Sequence, residues 1–325
     1  MLGYILRRIL YAIPILIGVN IITFVLFFMV NTPDDMARMQ LGQKYVTQTQ
    51  IQGWKNEKGY NQPLFYNNTE TGLEKFTQTI FFKKSVDLFA FHFGESEEGR
   101  NINHDIFERM WPSLALAIPT LMIGLAINIM TALIIALFRD SVFDRTIMIV
   151  CVIMMSISGL FFIIGGQFLF ANLLRLVPIS GYHTGWSAFK FLVLPVLVGV
   201  IAGIGSGVRW YRTIVIEEIN KEYVKTARAK GLSEFSVLFR HVLKNALLPI
   251  LTGVVVIIPS LFMGSLIMES FFSIPGLGSY TIDAISRQDF NIVRVMVFLG
   301  TFFYIVGLVL TDISYMLVDP RVRLR

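Results

Sequence analysis

The sequence is poor in the residue types from which catalytic and metal sites are built. Its 325 residues include one cysteine, Cys151, and four scattered histidines, His92, His104, His183 and His241. One cysteine cannot form a disulfide bond, a zinc cluster or a thiol pair within the chain. The phosphate loop G-x-x-x-x-G-K-[ST] and the motifs H-E-x-x-H, G-x-S-x-G and C-x-x-C are also absent from the sequence. We therefore expect no catalytic residue, no metal and no cofactor bound by this chain.

Charged residues are scarce, and apolar residues come in long blocks. Only 15% of the residues are charged and 54% are hydrophobic, whereas soluble domains average about 25% charged residues. Blocks of about 20 apolar residues span a bilayer. Six such blocks occur, at 9–30, 113–138, 146–171, 189–209, 247–268 and 294–316. They lack the alternation of barrel strands, so the sequence predicts an all-α membrane protein with six transmembrane helices.

Positive charge predicts which side of the membrane each loop faces, because short loops rich in Lys and Arg stay in the cytoplasm. The loops assigned to the inner side carry 15 basic and 7 acidic residues, and the outer ones carry 13 and 14. Both termini are therefore predicted to be cytoplasmic. The first block follows Arg7 and Arg8 and lacks a small-x-small cleavage site, so we interpret it as a retained helix.

The predicted domains follow from this topology. Residues 1–30 form the first transmembrane helix, and the polar segment 31–112, which has few aliphatic residues, forms a small external cap. Residues 113–325 form a five-helix core with a basic cytoplasmic loop at 210–246.

The basic loop is predicted to form two short helices that meet at a glycine. Asn220 is expected to cap the first helix, and Arg228 lies in its last turn, where a cation meets the negative end of the helix dipole. Gly231 suits the left-handed conformation that ends helices. Ser233 is expected to cap the second helix, with Glu234 in its first turn. The loop is thus predicted to be an ordered hairpin outside the membrane.

The hairpin has features of a docking element. The small side chains of Ala227 and Ala229 leave its tip narrow enough for a groove on another protein, with Tyr223, Val224 and Leu232 as apolar contacts. The alternative is a basic helix that lies on anionic lipid headgroups. The glycine break and the small residues favour docking.

Motifs along nearly the whole chain resemble those of ABC importer permeases of the dipeptide, oligopeptide and nickel family. YVKTARAKG followed by LFRHVLKNALLPI resembles the cytoplasmic EAA loop of that family, and LRRILYAIPILIGVNIITF resembles its first helix. FFSIPGLGSYTIDAISRQDF and DISYMLVDPRVR resemble its outer loop before helix six and its C-terminus. The glutamate that names the EAA loop is replaced here, since Lys225, Thr226 and Ala227 occupy those three places, whereas Gly231 is retained.

The resemblance implies an inner-membrane permease subunit of an ATP-driven, binding-protein-dependent importer of peptides. It implies as partners a second permease that completes the pore, two ATPase subunits that carry ATP and Mg, an external substrate-binding protein and the peptide itself. The hairpin would couple the ATPases to the transmembrane helices. The coupling residues would be Tyr223, Val224, Ala227, Arg228, Ala229, Gly231, Leu232 and Glu234.

Candidate pathway or gate residues lie in and beside the last two apolar blocks. They are Met263, Met268, Glu269, Phe272 and Asp312. Packing explains the Met and Phe residues equally well, and Glu269 and Asp283 are expected to be solvated at the outer mouth. Asp312 is expected to pair with a basic residue of the hairpin or the C-terminus. Gly199, Gly203, Gly205 and Gly207 are predicted to allow close helix approach.

Three other functions fit parts of the sequence. An importer of nickel, an opine, a sugar oligomer or another small solute differs only in its substrate, which binding-protein specificity decides. A membrane-embedded enzyme is disfavoured because no nucleophile is paired with a base. A scaffold that anchors a cytoplasmic complex through the hairpin is the alternative outside transport.

Overall fold

The computed structural model describes residues 2–42, 46–183 and 185–318, and its regular structure is helical. Across these ranges no β-strand forms, and one isolated antiparallel bridge pairs Glu95 with Asn101. The predicted all-α class is confirmed.

The helices are numbered in chain order. The N-terminal part contains α1 (Leu2–Val30), α2 (Pro33–Leu41), α3 (Gln48–Lys58), α4 (Glu74–Thr77) and α5 (Ile80–Phe89). The middle part contains α6 (Ile102–Leu137), α7 (Val142–Ser156), α8 (Gly159–Gly166, continued as a π-helix over Gln167–Leu173) and α9 (Ala188–Ile219). The last part contains α10 (Glu222–Ala229), α11 (Glu234–Ser236, continued as a π-helix over Val237–Val242), α12 (Leu243–Leu261), α13 (Leu266–Phe271), α14 (Leu277–Ser286) and α15 (Phe290–Val318).

Five helical stretches within the described ranges are long and apolar enough to cross a membrane. They are Leu10–Val30, Ile102–Leu137, Ala188–Ile219, Glu234–Leu261 and Phe290–Ser314. The bent pair α7 and α8 makes a sixth if it is counted as one span. Four of the six predicted spans are therefore continuous helices. The third is interrupted, and the fifth, predicted over 247–268, leaves the helix early, because α12 ends at Leu261 and α13 begins at Leu266.

The interruption corrects the prediction of a continuous helix over 146–171. The chain bends by 92° between α7 and α8, where Ile157 and Ser158 take extended backbone angles with ψ of 129° and 142°. Sharp helix kinks often occur at Gly and Ser pairs, and Ser158 is followed directly by Gly159. Apolar composition predicted the length of the span but carried no information on these few backbone angles.

Two compact units divide the chain. The first comprises Met1–Glu108 with Asp283–Ile305, and the second comprises Arg109–Ile282 with Val306–Arg325. The segment predicted as a cap, 31–112, falls almost wholly in the first unit.

Local sequence sets the ends of the short helices in the first unit. Thr32 accepts a hydrogen bond from the Asp35 backbone N–H while the Asp35 side chain accepts one from the Thr32 backbone, and Thr47 and Gln50 repeat this capping box at α3. Gly59 ends α3 with φ +76°. These short helices then pack into a core of aromatic and aliphatic side chains, namely Phe24, Phe28, Met36, Ala37, Ile51, Trp54, Tyr60, Ile80 and Phe290.

Glycines on α9 allow close packing within the second unit, as predicted. A Cβ atom on Gly199 would meet Thr120 of α6, and one on Gly207 would meet Asn128 of the same helix. A Cβ on Gly205 would meet the backbone carbonyl of Cys151 on α7. Gly203 has no such neighbour within 4 Å in the part of the chain that the structure describes, so the prediction of close approach is wrong at that position. Small residues at three points thus let α9 lie against both α6 and α7.

Candidate functional site

The hairpin predicted from the basic loop is formed by α10 and α11. Gly231 lies between them with φ +76°, and the Ser233 hydroxyl accepts a hydrogen bond from the Ser236 N–H at 3.4 Å. Both signals therefore act as predicted. The predicted cap at Asn220 is wrong, because Asn220 ends α9 and Lys221 stands at the N-cap of α10 without a side-chain bond.

An ion pair joins the two arms of the hairpin across the glycine. Arg228 donates from Nε and Nη2 to the two carboxylate oxygens of Glu234, at 2.8 and 3.0 Å. Exposed pairs of this kind contribute up to about 1 kcal/mol, and the bidentate geometry also fixes the angle between the arms. This pair was not among the predictions from the sequence, although opposite charges on either side of Gly231 are the signal for it.

The hairpin is anchored on the ends of its own transmembrane helices. Val224 and Ala227 of α10 are buried with Val237, and the same core contains Leu133 of α6 and Val215 of α9. The prediction that Val224 is an apolar contact for another protein is therefore wrong, since its side chain is 0% exposed. The spacing of three residues places Val224 and Ala227 on one helix face, and packing turns that face inward.

A polar network fixes the base of α10. The Glu218 carboxylate, at the end of α9, accepts a hydrogen bond from Tyr223 Oη at 2.8 Å and one from Lys221 Nζ at 2.5 Å. Burial of the Tyr223 side chain, together with the Glu218 carboxylate, raises the pKa of Tyr223 to about 12. Tyr223, predicted as a contact for a partner, thus supports the hairpin from within.

The outward face of the hairpin carries a small apolar patch. Leu232 is 40% exposed and Phe235 is 62% exposed, and the Phe235 ring stacks on Phe239 with centroids 4.3 Å apart. Ala229 and Gly231 are also exposed. We call Ala229, Gly231, Leu232 and Phe235 the hairpin patch. The first three of these residues were predicted from the sequence. Phe235, an exposed aromatic residue beside the predicted tip, was not.

A buried ion pair ties α7 to α9. Arg212 donates to both carboxylate oxygens of Asp144, at 2.9 and 2.7 Å, and the Asp144 side chain is almost fully buried. Loss of one partner from such a pair typically costs about 3–5 kcal/mol, because the other charge stays buried. The helix that carries the hairpin is thus held to its neighbour by charge as well as by packing.

Glu269 is placed differently from the prediction of a solvated residue at the outer mouth. Its side chain is fully buried and accepts hydrogen bonds from Ser113 Oγ at 2.8 Å and from the backbone N–H groups of Ser265 and Ser279 at 3.1 and 3.0 Å. Burial raises the pKa of Glu269, and these bonds oppose the rise. Asp283, named with it, is exposed as predicted.

The other candidate pathway residues divide between a cavity and the core. Met268 lines a cavity of about 620 Å³. Phe272 is buried in a core cluster with Leu116. Met263 and Asp312 are half-buried. The C-terminal basic residues predicted to pair with Asp312 lie outside the described residues: Arg321, Arg323 and Arg325.

A second buried polar cluster lies in the first unit and was not predicted from the sequence. Glu97 accepts hydrogen bonds from Tyr60 Oη at 3.2 Å and from Asn291 Nδ2 at 3.1 Å. Its backbone N–H donates to Asp289 at 2.9 Å. Burial raises the pKa of Glu97 and of Asp289, and each residue lies near other charged groups. Among the described residues, no group of three or more His, Cys, Asp or Glu side chains is arranged to hold a metal ion.

Comparisons with known proteins cover the chain from end to end. The family described as "Binding-protein-dependent transport system inner membrane component" matches residues 128–324, and its N-terminal companion matches residues 1–117. The oligopeptide transport system permease protein AppB of Bacillus subtilis (strain 168) is 29% identical over 99% of both chains. The dipeptide transport system permease protein DppB of the same organism is 30% identical over 76% of this chain and 79% of its own. A Brucella abortus (strain 2308) protein, named for a permease role in a peptide transport system, is 32% identical over 99% of both chains.

Proposed function

We propose that this chain, which belongs to the family of binding-protein-dependent transport system inner membrane components, uses its hairpin to couple ATPase subunits to the transport of peptides. Members of the family are multi-pass permeases of ABC importers and are not themselves catalytic. The chain is therefore an importer permease, and its partners and substrate are the subject of the proposal.

The observation that carries the proposal is the anchorage of the hairpin. The buried core under α10 joins it to Leu133 on α6 and Val215 on α9, and Glu218 ties its base to the end of α9. A force applied to the hairpin would therefore move α6 and α9 rather than bend a loose linker. Domain movements are transmitted by rigid elements, because such elements move as a unit when a force is applied to them.

The hairpin patch is the surface that we assign to the ATPase. Alanine and glycine leave its centre flat, while Leu232 and the Phe235 ring offer apolar contact area. Arg228 and Glu234 hold the patch in shape through their ion pair rather than by contacting the partner. An exposed aromatic residue on a rigid hairpin is typical of the anchor residues that dominate binding energy.

The proposed assembly has four further components. A second permease completes the pore, two ATPase subunits bind ATP and Mg and contact the hairpins, and an external binding protein delivers the substrate. We propose peptides as the substrate because the oligopeptide, dipeptide and peptide permeases described above are the relatives that match this chain.

The proposal is tested by truncation of the patch in the complete importer reconstituted in vesicles. Phe235→Ala removes the exposed ring, and we expect ATP-dependent peptide uptake and peptide-stimulated ATPase activity to fall by about tenfold or more, as for anchor residues. Glu222→Ala is the matched control, because Glu222 is an exposed hairpin residue that pairs with Lys225 at the surface. It should keep both activities within about twofold.

Three results would contradict the proposal in whole or in part. Full uptake with Phe235→Ala would show that the patch does not couple. Uptake in the absence of ATP would show that transport does not depend on the ATPase subunits. Transport of nickel ions in place of peptides would leave the coupling role intact and replace the substrate.

A further inference from the structure

Helix α5 has an exposed apolar face in addition to the face that it packs into the first unit. The residues that α5 buries are Ile80, Ser85 and Leu88. Its large apolar residues that stay exposed are Phe82, Val86 and Phe89. Their exposed fractions are 39%, 47% and 38% in that order, and their spacing of four and three residues places them on one helix face. We call these three residues the α5 stripe.

A charged edge runs beside the α5 stripe. Lys83 and Asp87 are exposed, and they lie four residues apart, so they share the helix edge between the stripe and the buried face. A helix at a soluble surface typically has polar residues on the whole of the face that does not pack. Helices that lie in the surface plane of a membrane instead combine an apolar face with a charged one. The pattern of α5 therefore favours contact with lipid.

The end of α5 lies against the part of α15 that crosses the membrane. The ring of Phe89 contacts that of Phe298, with centroids 5.5 Å apart. The ring of Phe91, just after the helix, contacts that of Phe302 with centroids 5.2 Å apart. Phe298 and Phe302 follow the first residue of the membrane-crossing stretch Phe290–Ser314 by eight and twelve positions, which corresponds to about 12 and 18 Å along the helix axis.

The length of α15 shows how deep these contacts lie. The 29 residues of α15 form a helix about 44 Å long, and the hydrocarbon core of a bilayer is about 30 Å thick. At most about 14 Å of α15 can therefore project from the core at this end. Phe302 lies further along the helix than that, so Phe91, which contacts it, is at the level of the acyl chains.

The beginning of α5 lies against a second membrane-crossing helix. The Phe81 ring contacts that of Phe24 on α1, with centroids 5.2 Å apart. Phe24 comes six residues before the end of α1 at Val30, which places it about 9 Å inside that end. Both ends of α5 thus contact helices that cross the membrane, and the stripe adds to the apolar surface that these helices present to lipid, such as Leu26 of α1, which is 59% exposed.

We propose that α5 is an interfacial helix that binds phospholipid. The α5 stripe and Phe91 lie among the acyl chains of the leaflet on this side of the membrane, and Lys83 extends toward the phosphate groups. A lysine can lay its methylene stem along apolar surface while its charged group stays among the polar headgroups, and anionic lipids attract such a residue. Part of the segment predicted as an external cap, 31–112, is then embedded in the membrane surface.

Nitroxide labels on neighbouring residues test the proposal in the complete importer. In a Cys151→Ala background, Val86→Cys and Asp87→Cys are labelled, and the importer is placed in vesicles of phosphatidylethanolamine and phosphatidylglycerol. Electron paramagnetic resonance measures how often each nitroxide collides with oxygen, which concentrates among acyl chains, and with a polar nickel chelate, which stays in water. We expect the ratio of oxygen to nickel collisions to be at least about tenfold higher at Val86→Cys, because hydrocarbon excludes polar solutes.

A second pair of variants repeats the comparison one turn earlier in α5. Phe82→Cys belongs to the stripe and Lys83→Cys to the charged edge, so this pair gives the same test if either of the first variants is not assembled. We expect oxygen collisions to dominate at Phe82→Cys and nickel collisions to dominate at Lys83→Cys.

Two outcomes would overturn the inference. Stripe labels that neither oxygen nor the nickel chelate reaches would show that another subunit of the importer covers the α5 stripe. Equal collision ratios at the stripe and at the charged edge, with the nickel chelate dominant, would show that the stripe faces water. Either result would leave the proposed coupling through the hairpin unaffected, because α5 is not part of the hairpin.

Discussion

Glu269 shows how a single residue organises the wall of a cavity. Its carboxylate joins Ser113 on α6 to the backbone at Ser265 and Ser279, and the Ser113 hydroxyl in turn accepts the Leu277 N–H at 2.8 Å. Because the surrounding groups are donors, the site is built for an ionised carboxylate. A Cβ on Gly264 would collide with the Glu269 side chain, so the glycine is required for the approach.

Glu269→Gln is expected to loosen this segment. The amide keeps one acceptor but turns an NH₂ group toward N–H donors, and an unmade buried hydrogen bond costs about 1–3 kcal/mol. We expect a lower midpoint of thermal unfolding in detergent and faster protease cleavage near residues 262–279.

Asp283→Asn is the control for this change. It is also an acid-to-amide substitution, but Asp283 is exposed, so both measurements should stay at wild-type values. Equal thermal stability of the two variants would show that the Glu269 bonds do not stabilise the segment.

The hairpin is the element that depends most on one backbone angle. Gly231 has φ +76°, and among the described residues no atom outside its chain neighbours lies within 4 Å of the position where a Cβ would be. A substitution there is therefore strained by the backbone and not by a clash. Left-handed backbone costs L-residues about 1–2 kcal/mol, and β-branched residues avoid it most strongly.

Gly231→Val is expected to change the angle between α10 and α11 and so to uncouple transport. ATP hydrolysis should continue while the peptide transported per ATP falls. The measurement is the ratio of uptake to phosphate release in the same vesicles.

Gly59→Val is a matched control for strain. Gly59 ends α3 in the first unit with the same φ of +76° and the same open surroundings. Gly59→Val should lower the stability of the protein by about as much as Gly231→Val and leave the ratio of uptake to phosphate release unchanged. A fall of the ratio in both variants would attribute the effect of Gly231 to general destabilisation.

At the scale of the whole molecule, the two compact units correspond to different parts of the sequence. The first contains the polar segment after α1, with its own aromatic core and the buried cluster around Glu97. The second contains the hairpin, the Asp144–Arg212 pair and the cavity of about 620 Å³ that Met268 lines. Charge bias predicts that the polar segment is external and that the hairpin is cytoplasmic.

This topology is tested with single cysteines in the Cys151→Ala background. Asn68→Cys and Lys225→Cys both replace exposed residues. In spheroplasts, whose cytoplasmic membrane is still sealed, a membrane-impermeant maleimide should label Asn68→Cys and not Lys225→Cys. Inverted vesicles should give the opposite pattern, and labelling of both cysteines from one side would reject the predicted topology.

The sequence by itself determined the features that depend on near neighbours. Apolar blocks predicted the membrane spans, because the backbone N–H and C=O groups of each span must form their hydrogen bonds within that span's own helix. Gly231 and Ser233 gave the turn and the second cap, since both effects act over a few residues.

Only the tertiary structure decided which side chains meet. Glu269 forms a hydrogen bond with Ser113, which is 156 positions away in the sequence, and Arg212 forms one with Asp144, which is 68 positions away. No local sequence pattern distinguishes these buried residues from solvated ones. Val224 was predicted to face outward and is buried instead, because residues of α6 and α9 pack against the face of α10 that carries it. Burial is a property of the packed chain, so the cavity walls and the inward face of the hairpin were not available from the order of residues alone.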